Sequence, residues 1–170
     1  MTALKSLLER LLEWAVILLM VGLTVIVIVA VIARLLGESF SWYDEVAAIG
    51  LAWVTYYGAA LAALKRRHIG FDSVLLAMPP GLRMAAAVFG ELVVLAFFAL
   101  LAWAGMEVLA VLEGDTLVSL DWVPITLTQS VIPIGAGLFI LAQLLSMPGY
   151  LRAVRAGVSL EHPELHEEGV

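Results

Sequence analysis

The chain has no cysteine, and its only histidine outside the last ten residues is His68. The first absence excludes disulfides, thiol nucleophiles and thiolate-bound metals. The second narrows catalysis. A Ser-His-Asp arrangement could draw only on His68, which sits in the basic segment Lys65-Arg66-Arg67-His68. Haem carried inside a four-helix bundle needs histidines facing one another within the helices, and none of the long apolar runs contains one. There is no glycine-rich phosphate loop. No catalytic constellation appears, so the chain does not read as an enzyme, and nothing in it points to nucleic acid as a partner. No inverted repeat is visible that would build both halves of a transport path from one chain. Charge is also scarce, at 14% of 170 residues, where soluble domains carry about a quarter.

What is present is apolar. The chain is 63% hydrophobic, with a mean hydropathy of +1.05. This is an integral membrane protein, long enough for one helical bundle and no sizeable soluble domain. The net charge of -6 is concentrated at one end, with Glu161, Glu164, Glu167 and Glu168 in the last ten residues. Residues 156–170 therefore read as an acidic, solvated, disordered tail, His162 and His166 included.

Four spans are expected, at about 14–36, 44–64, 84–112 and 125–147, so the fold class is an all-α compact bundle. The first opens with Trp14–Ala33, 20 residues without a charge. No small-x-small cleavage site precedes Arg34, so this run reads as a retained helix rather than a signal peptide. The second is the most informative. Asp44 and Glu45 precede 19 uncharged residues, Val46–Leu64, and Lys65 to His68 follow. A helix of that length rises roughly 28 Å, close to the thickness of bilayer hydrocarbon. Small residues recur along it at Ala48, Ala52, Thr55, Ala59 and Ala63, with Gly58 and Ala62 beside them. Such spacing lets another helix approach closely, and Gly58 is expected at a helix contact. Pro79 and Pro80 interrupt the following connection, where Ile69 to Met78 is expected to form a short amphipathic turn.

The third span contains Glu91 and Glu107. The uncharged run between them is 15 residues, roughly 22 Å and too short to cross alone. At least one glutamate therefore lies at or inside the hydrocarbon edge. The two sit about 160° apart around the helix and do not share a partner. An acid in such a place is a functional candidate. The other reading is a structural hydrogen bond or an interface contact, and that is the role expected of Glu91. In the fourth span, Pro133 lacks the amide that would bond to the Gln129 carbonyl, so a kink is expected there, with Gln129 and Ser130 available to freed carbonyls.

Eight of the nine basic residues lie in the N-terminal segment, the 65–83 connection or the C-terminal flank, and Arg34 alone lies elsewhere. The positive-inside bias then places both termini in the cytoplasm.

Several residues together resemble a known family. They are Ser41-Trp42, Glu45, Trp53, Gly58-Ala59-Ala60, the basic cluster through His68-Ile69, Asp72, then Leu75, Pro79 and Arg83, and finally Ile132-Pro133-Ile134-Gly135. In order and spacing they resemble the small membrane subunit, DctQ type, of tripartite ATP-independent periplasmic (TRAP) transporters, over roughly residues 10–155. The resemblance implies an inner-membrane scaffold bound to a large membrane subunit. It also implies a periplasmic substrate-binding protein that captures an organic acid, such as a dicarboxylate or sugar acid. The large subunit would use an ion gradient, usually sodium, and the family places no substrate or sodium ligands in the small one. Subunit-interface candidates on this reading are Trp42, Glu45, Trp53, Gly58, Ala59, Ala62, Glu91, Pro133 and Gly135. One departure stands out. Many members carry a basic residue one turn after the matching glutamate, and here that residue is Ala48, so Glu45 is expected to pair with Arg34. Two other readings fit the same composition. One is an independent homo-oligomeric channel or exporter centred on Glu91. The other is a membrane anchor of an enzyme complex.

Overall fold

The computed structural model describes residues 2–66, 75 and 77–158. Arg67, His68, Ile69, Asp72, most of the expected interfacial turn and the acidic segment from 159 onward lie outside the described residues.

Helix α1, Thr2–Leu35, begins well before the first apolar run. It stops where Gly37 takes φ +89°, so that the Glu38 amide reaches the Ala33 carbonyl and the Gly37 amide that of Arg34. This is the left-handed glycine stop, in which the residues after the helix satisfy its last carbonyls. Helix α2, Tyr43–Lys65, carries Asp44 and Glu45 in its first turn and Lys65 in its last, each complementing the helix dipole. Helix α3, Pro80–Val111, starts on Pro80 behind an extended Pro79, a pairing that fixes the first φ and needs no amide.

The fourth crossing is made in two pieces. Helix α4, Ile125–Gln129, is followed by Ser130 and then by α5, Val131–Ala156. The break precedes Pro133, which thus sits in the first turn of α5, where a missing amide is tolerated. The expected kink is in this sense an interruption three residues upstream. Helix α5 also runs on past 147, through Pro148, to a second glycine stop at Gly157.

Among the described residues, four helical segments are long and apolar enough to cross a membrane, the last combining α4 and α5. Helix α5 is the centre: α2 packs along one side and α3 along another, while α1 packs chiefly on α2. The core lies toward the Lys65 end, where Leu8 and Leu12 of α1 meet Ala60, Ala63 and Leu64 of α2 and Phe139 and Ala142 of α5. Phe98 of α3 closes it by stacking on Phe139.

Two notches set the helix spacing. A Cβ at Gly135 would fall 2.7 Å from Tyr56 Cβ, so α2 and α5 touch there through the absence of a side chain. A Cβ at Gly105 would fall 2.9 Å from Pro133 Cδ, which seats α3 on the start of α5. Gly58 has no such neighbour: among the described residues, nothing lies within 4 Å of its Cβ position. Ala48 and Thr55, two members of the small-residue row, are exposed, whereas Ala63 is buried. The tightest glycine contact of α2 is therefore made by its Tyr56 against α5, and no helix among the described residues packs over Gly58.

Candidate functional site

The polar chemistry of the chain gathers at the two ends of α2. At the C-terminal end, Arg66 is the one described non-glycine residue with positive φ, at 54°. Its amide still caps the helix through the Ala62 and Ala63 carbonyls. A left-handed arginine is unfavourable unless its surroundings hold it, and here they do. The guanidinium reaches α3 and α5. Nη1 and Nη2 donate to the two carboxylate oxygens of Glu91, the second at 3.1 Å. Nη2 also reaches the Gln143 carbonyl at 3.3 Å, and Nε donates to Ser146 Oγ at 2.8 Å. Tyr150 lies beneath, its ring centroid 4.6 Å from the guanidinium carbon. Gln143 Nε2 donates to Glu91 at 2.9 Å, and Ser146 Oγ lies 3.1 Å from the Ala63 carbonyl, to which it donates.

The side chains of Arg66 and Glu91 are only 14% and 7% exposed. Burying either charge alone is costly, and together, with Gln143 and Ser146 bonded to them, they form a neutral unit. The unit joins α2, α3 and α5. Beside it, Lys65 pairs with Glu13 and, at 3.4 Å, with Glu9, tying α1 to the same level.

At the N-terminal end of α2, Glu45 does not pair with Arg34. Its carboxylate accepts hydrogen bonds from the Val118 amide at 3.2 Å, the Ser119 amide at 3.0 Å and the Ser119 hydroxyl. The reason is geometric: the loop between α3 and α4 folds back over α2 and offers two adjacent amides. A carboxylate fits such a pair well. The loop is itself closed by an isolated bridge between Thr116 and Pro124. With the loop as its partner, Glu45 has no need of a basic residue at Ala48. Close by, Trp42 stacks on Phe40 at 5.4 Å. One level deeper, Trp53 Nε1 donates to the Thr128 carbonyl at 3.0 Å. That carbonyl borders the break between α4 and α5, so the cross-helix donor there is Trp53 rather than Gln129.

The structure thus brings Glu91 and Arg66 together, and Glu45 to the 118–119 loop. It places Pro133 and Gly135 in contacts within the chain. Ala59 and Ala62 are half-buried along α2, and Glu107 is exposed on α3, away from Glu91. Sequence reasoning missed the pairing of Arg66 with Glu91 and the parts of Gln143, Ser146 and Ser119. Gln143 and Ser146 were findable as polar residues three apart in an apolar helix. Among the described residues, no three His, Asp or Glu side chains come together as a metal site would require.

These features define a small polytopic α-helical membrane protein in which Arg66 and Glu91 neutralise each other within the bundle. Residues 23–152 match the family described as tripartite ATP-independent periplasmic transporters, DctQ component. The chain belongs to that family: it is the small membrane subunit of a TRAP transporter, a multi-pass protein of the inner membrane. Comparison with curated proteins found no match.

Proposed function

We propose that this chain is a scaffold that moves no substrate by itself. It holds the large membrane subunit and helps to seat the periplasmic binding protein, and the large subunit uses an ion gradient, usually of sodium, to take up an organic acid. The observation that carries this reading is the closure of the Arg66–Glu91 unit. An anion crossing the bilayer needs donors or cations left open near the midplane. Here Arg66, turned into the bundle, already holds a bidentate carboxylate, a hydroxyl and a carbonyl. The pairing also counts against a channel centred on Glu91.

Purified chain in liposomes under an inward sodium gradient is expected to accumulate no organic acid. Uptake should require this chain, the large subunit and the binding protein together. Gradient-driven uptake by this chain alone would overturn the scaffold reading.

The orientation follows the basic residues, with the Lys65 end in the cytoplasm and the Glu45 end in the periplasm. Because the chain lacks cysteine, single cysteines report cleanly. Glu38→Cys and Glu113→Cys are expected to react with an impermeant maleimide added to intact cells, and Val158→Cys only after lysis. The reverse pattern would invert the topology.

A further inference from the structure

Helix α1 is longer than the hydrocarbon it crosses. Its 34 residues rise about 51 Å. Even at a tilt of about 40°, the upper end of what is observed, it would span about 39 Å against roughly 30 Å of hydrocarbon. The excess lies at the Lys65 end. The contacts of Lys65 with Glu9 and Glu13 set those two residues level with the last turn of α2. The rest of the segment from Thr2 onward stands clear of the hydrocarbon.

That segment has two apolar sides. Leu8 and Leu12 are buried in the core. Leu4, Leu7 and Leu11 are 53%, 55% and 60% exposed. They fall at alternating spacings of three and four, and the spacing continues without a break through Trp14, Leu18 and Val21, all exposed. This is a heptad seam, the geometry that seats side chains of one helix into holes of another. Within the bilayer an exposed apolar stripe needs no explanation, because lipid covers it. Beyond the hydrocarbon it does, because headgroups and water cover it poorly, and this stripe runs from one environment into the other in register. The segment cannot lie down in the headgroup layer, because Leu8 and Leu12 hold it upright on the bundle. Leu18 is also on the wall of an apolar groove of 520 Å³ between α1 and α2, further lined by Gly22, Val46 and Trp53. The seam thus opens onto a receiving surface at membrane depth.

We infer that the Leu4–Val21 face of α1 is the docking seam for a helix of the large membrane subunit, a helix that itself continues past the cytoplasmic edge of the bilayer. The inference rests on the proposed scaffold role and names the surface that performs it. Exposed Arg10 has no ion-pair partner among the described residues and flanks the seam one position before Leu11. The partner helix therefore has an apolar heptad face with an acid opposite Arg10. A second copy of this chain fits less well, since a parallel pair of α1 helices sets Arg10 near its own copy.

The test uses the full chain co-expressed with the large subunit. A photoreactive benzoylphenylalanine at Leu7 or Leu11 is expected to crosslink to the large subunit, and one at Ser6 far less. The double variant Leu7→Ser/Leu11→Ser should lower co-purification of the large subunit at least about tenfold, as losing two buried leucines would. The melting temperature of the variant chain purified alone should not change, because both positions are exposed in it. Crosslinks from Leu7 and Leu11 to a second copy of this chain would overturn the inference, as would co-purification unchanged in the double variant. In both cases the scaffold reading survives. If the wild-type chain itself fails to co-purify with the large subunit, the scaffold reading falls, and the seam assignment with it.

Discussion

Arg66→Met, made alone, is expected to be the most destabilising single substitution in this chain. It removes the counter-ion of a carboxylate that is 7% exposed and strips donors from the Gln143 carbonyl and Ser146 at once. Breaking one side of a buried ion pair costs about 3–5 kcal/mol, because the remaining charge has neither water nor partner. Thermal unfolding in detergent should show this as a large drop in Tm. The double variant Arg66→Met/Glu91→Gln should recover most of the loss, since an amide at 91 keeps the bond with Gln143 and leaves no charge behind. Glu91→Gln alone should fall between the two. In the assembled transporter it should leave uptake largely intact. Normal assembly with ion coupling lost in Glu91→Gln would show that this subunit carries a coupling site after all.

The second large effect is expected at Gly135. In Gly135→Ala the new methyl would stand 2.7 Å from Tyr56 Cβ and 2.8 Å from its ring, so α2 and α5 must separate. Overpacking of this kind costs about 1–3 kcal/mol, outweighing the gain of up to about 1 kcal/mol that alanine brings to a helix interior. Adding Tyr56→Ala should relieve the clash, and the pair should therefore couple in a double-mutant cycle. Gly58→Leu is the informative contrast. Nothing among the described residues approaches its Cβ, so the chain purified alone should melt as before. A loss of assembly with the large subunit would then report a contact made by that subunit. Unchanged assembly would mean that no helix packs closely over Gly58.

The crossings were legible in the sequence because apolar length alone decides them, and so was the intramembrane glutamate, since 15 uncharged residues cannot span the hydrocarbon. Their partners were not. Glu91 and Arg66 are 25 positions apart on different helices, and spacing along one helix says nothing about which faces meet. Arg66 was further disguised by its neighbours, since in a run of basic residues it looks like one more cytoplasmic anchor. Only a left-handed turn at the helix end sends it inward, and arginine gives no sign of taking such a turn. Glu45 misled for a related reason. The sequence offered one nearby cation, Arg34, whereas the true donors were backbone amides at 118 and 119, which every residue but proline carries. Gly58 stood out as a glycine in a row of small residues, but which glycine forms a notch depends on what lies opposite, and Tyr56 faces Gly135.

Helix α2 is fastened at both extremities to elements other than itself. Glu45 holds one end to the α3–α4 loop, and Arg66 holds the other to α3 and α5. A rod clamped at both ends can neither slide like a piston nor twist about its long axis without breaking charged hydrogen bonds at one clamp or the other. Force applied at the Glu45 end would travel down such a strut to the Arg66 end with little give. Under the proposed scaffold role, such a strut suits a part that stays still while others move.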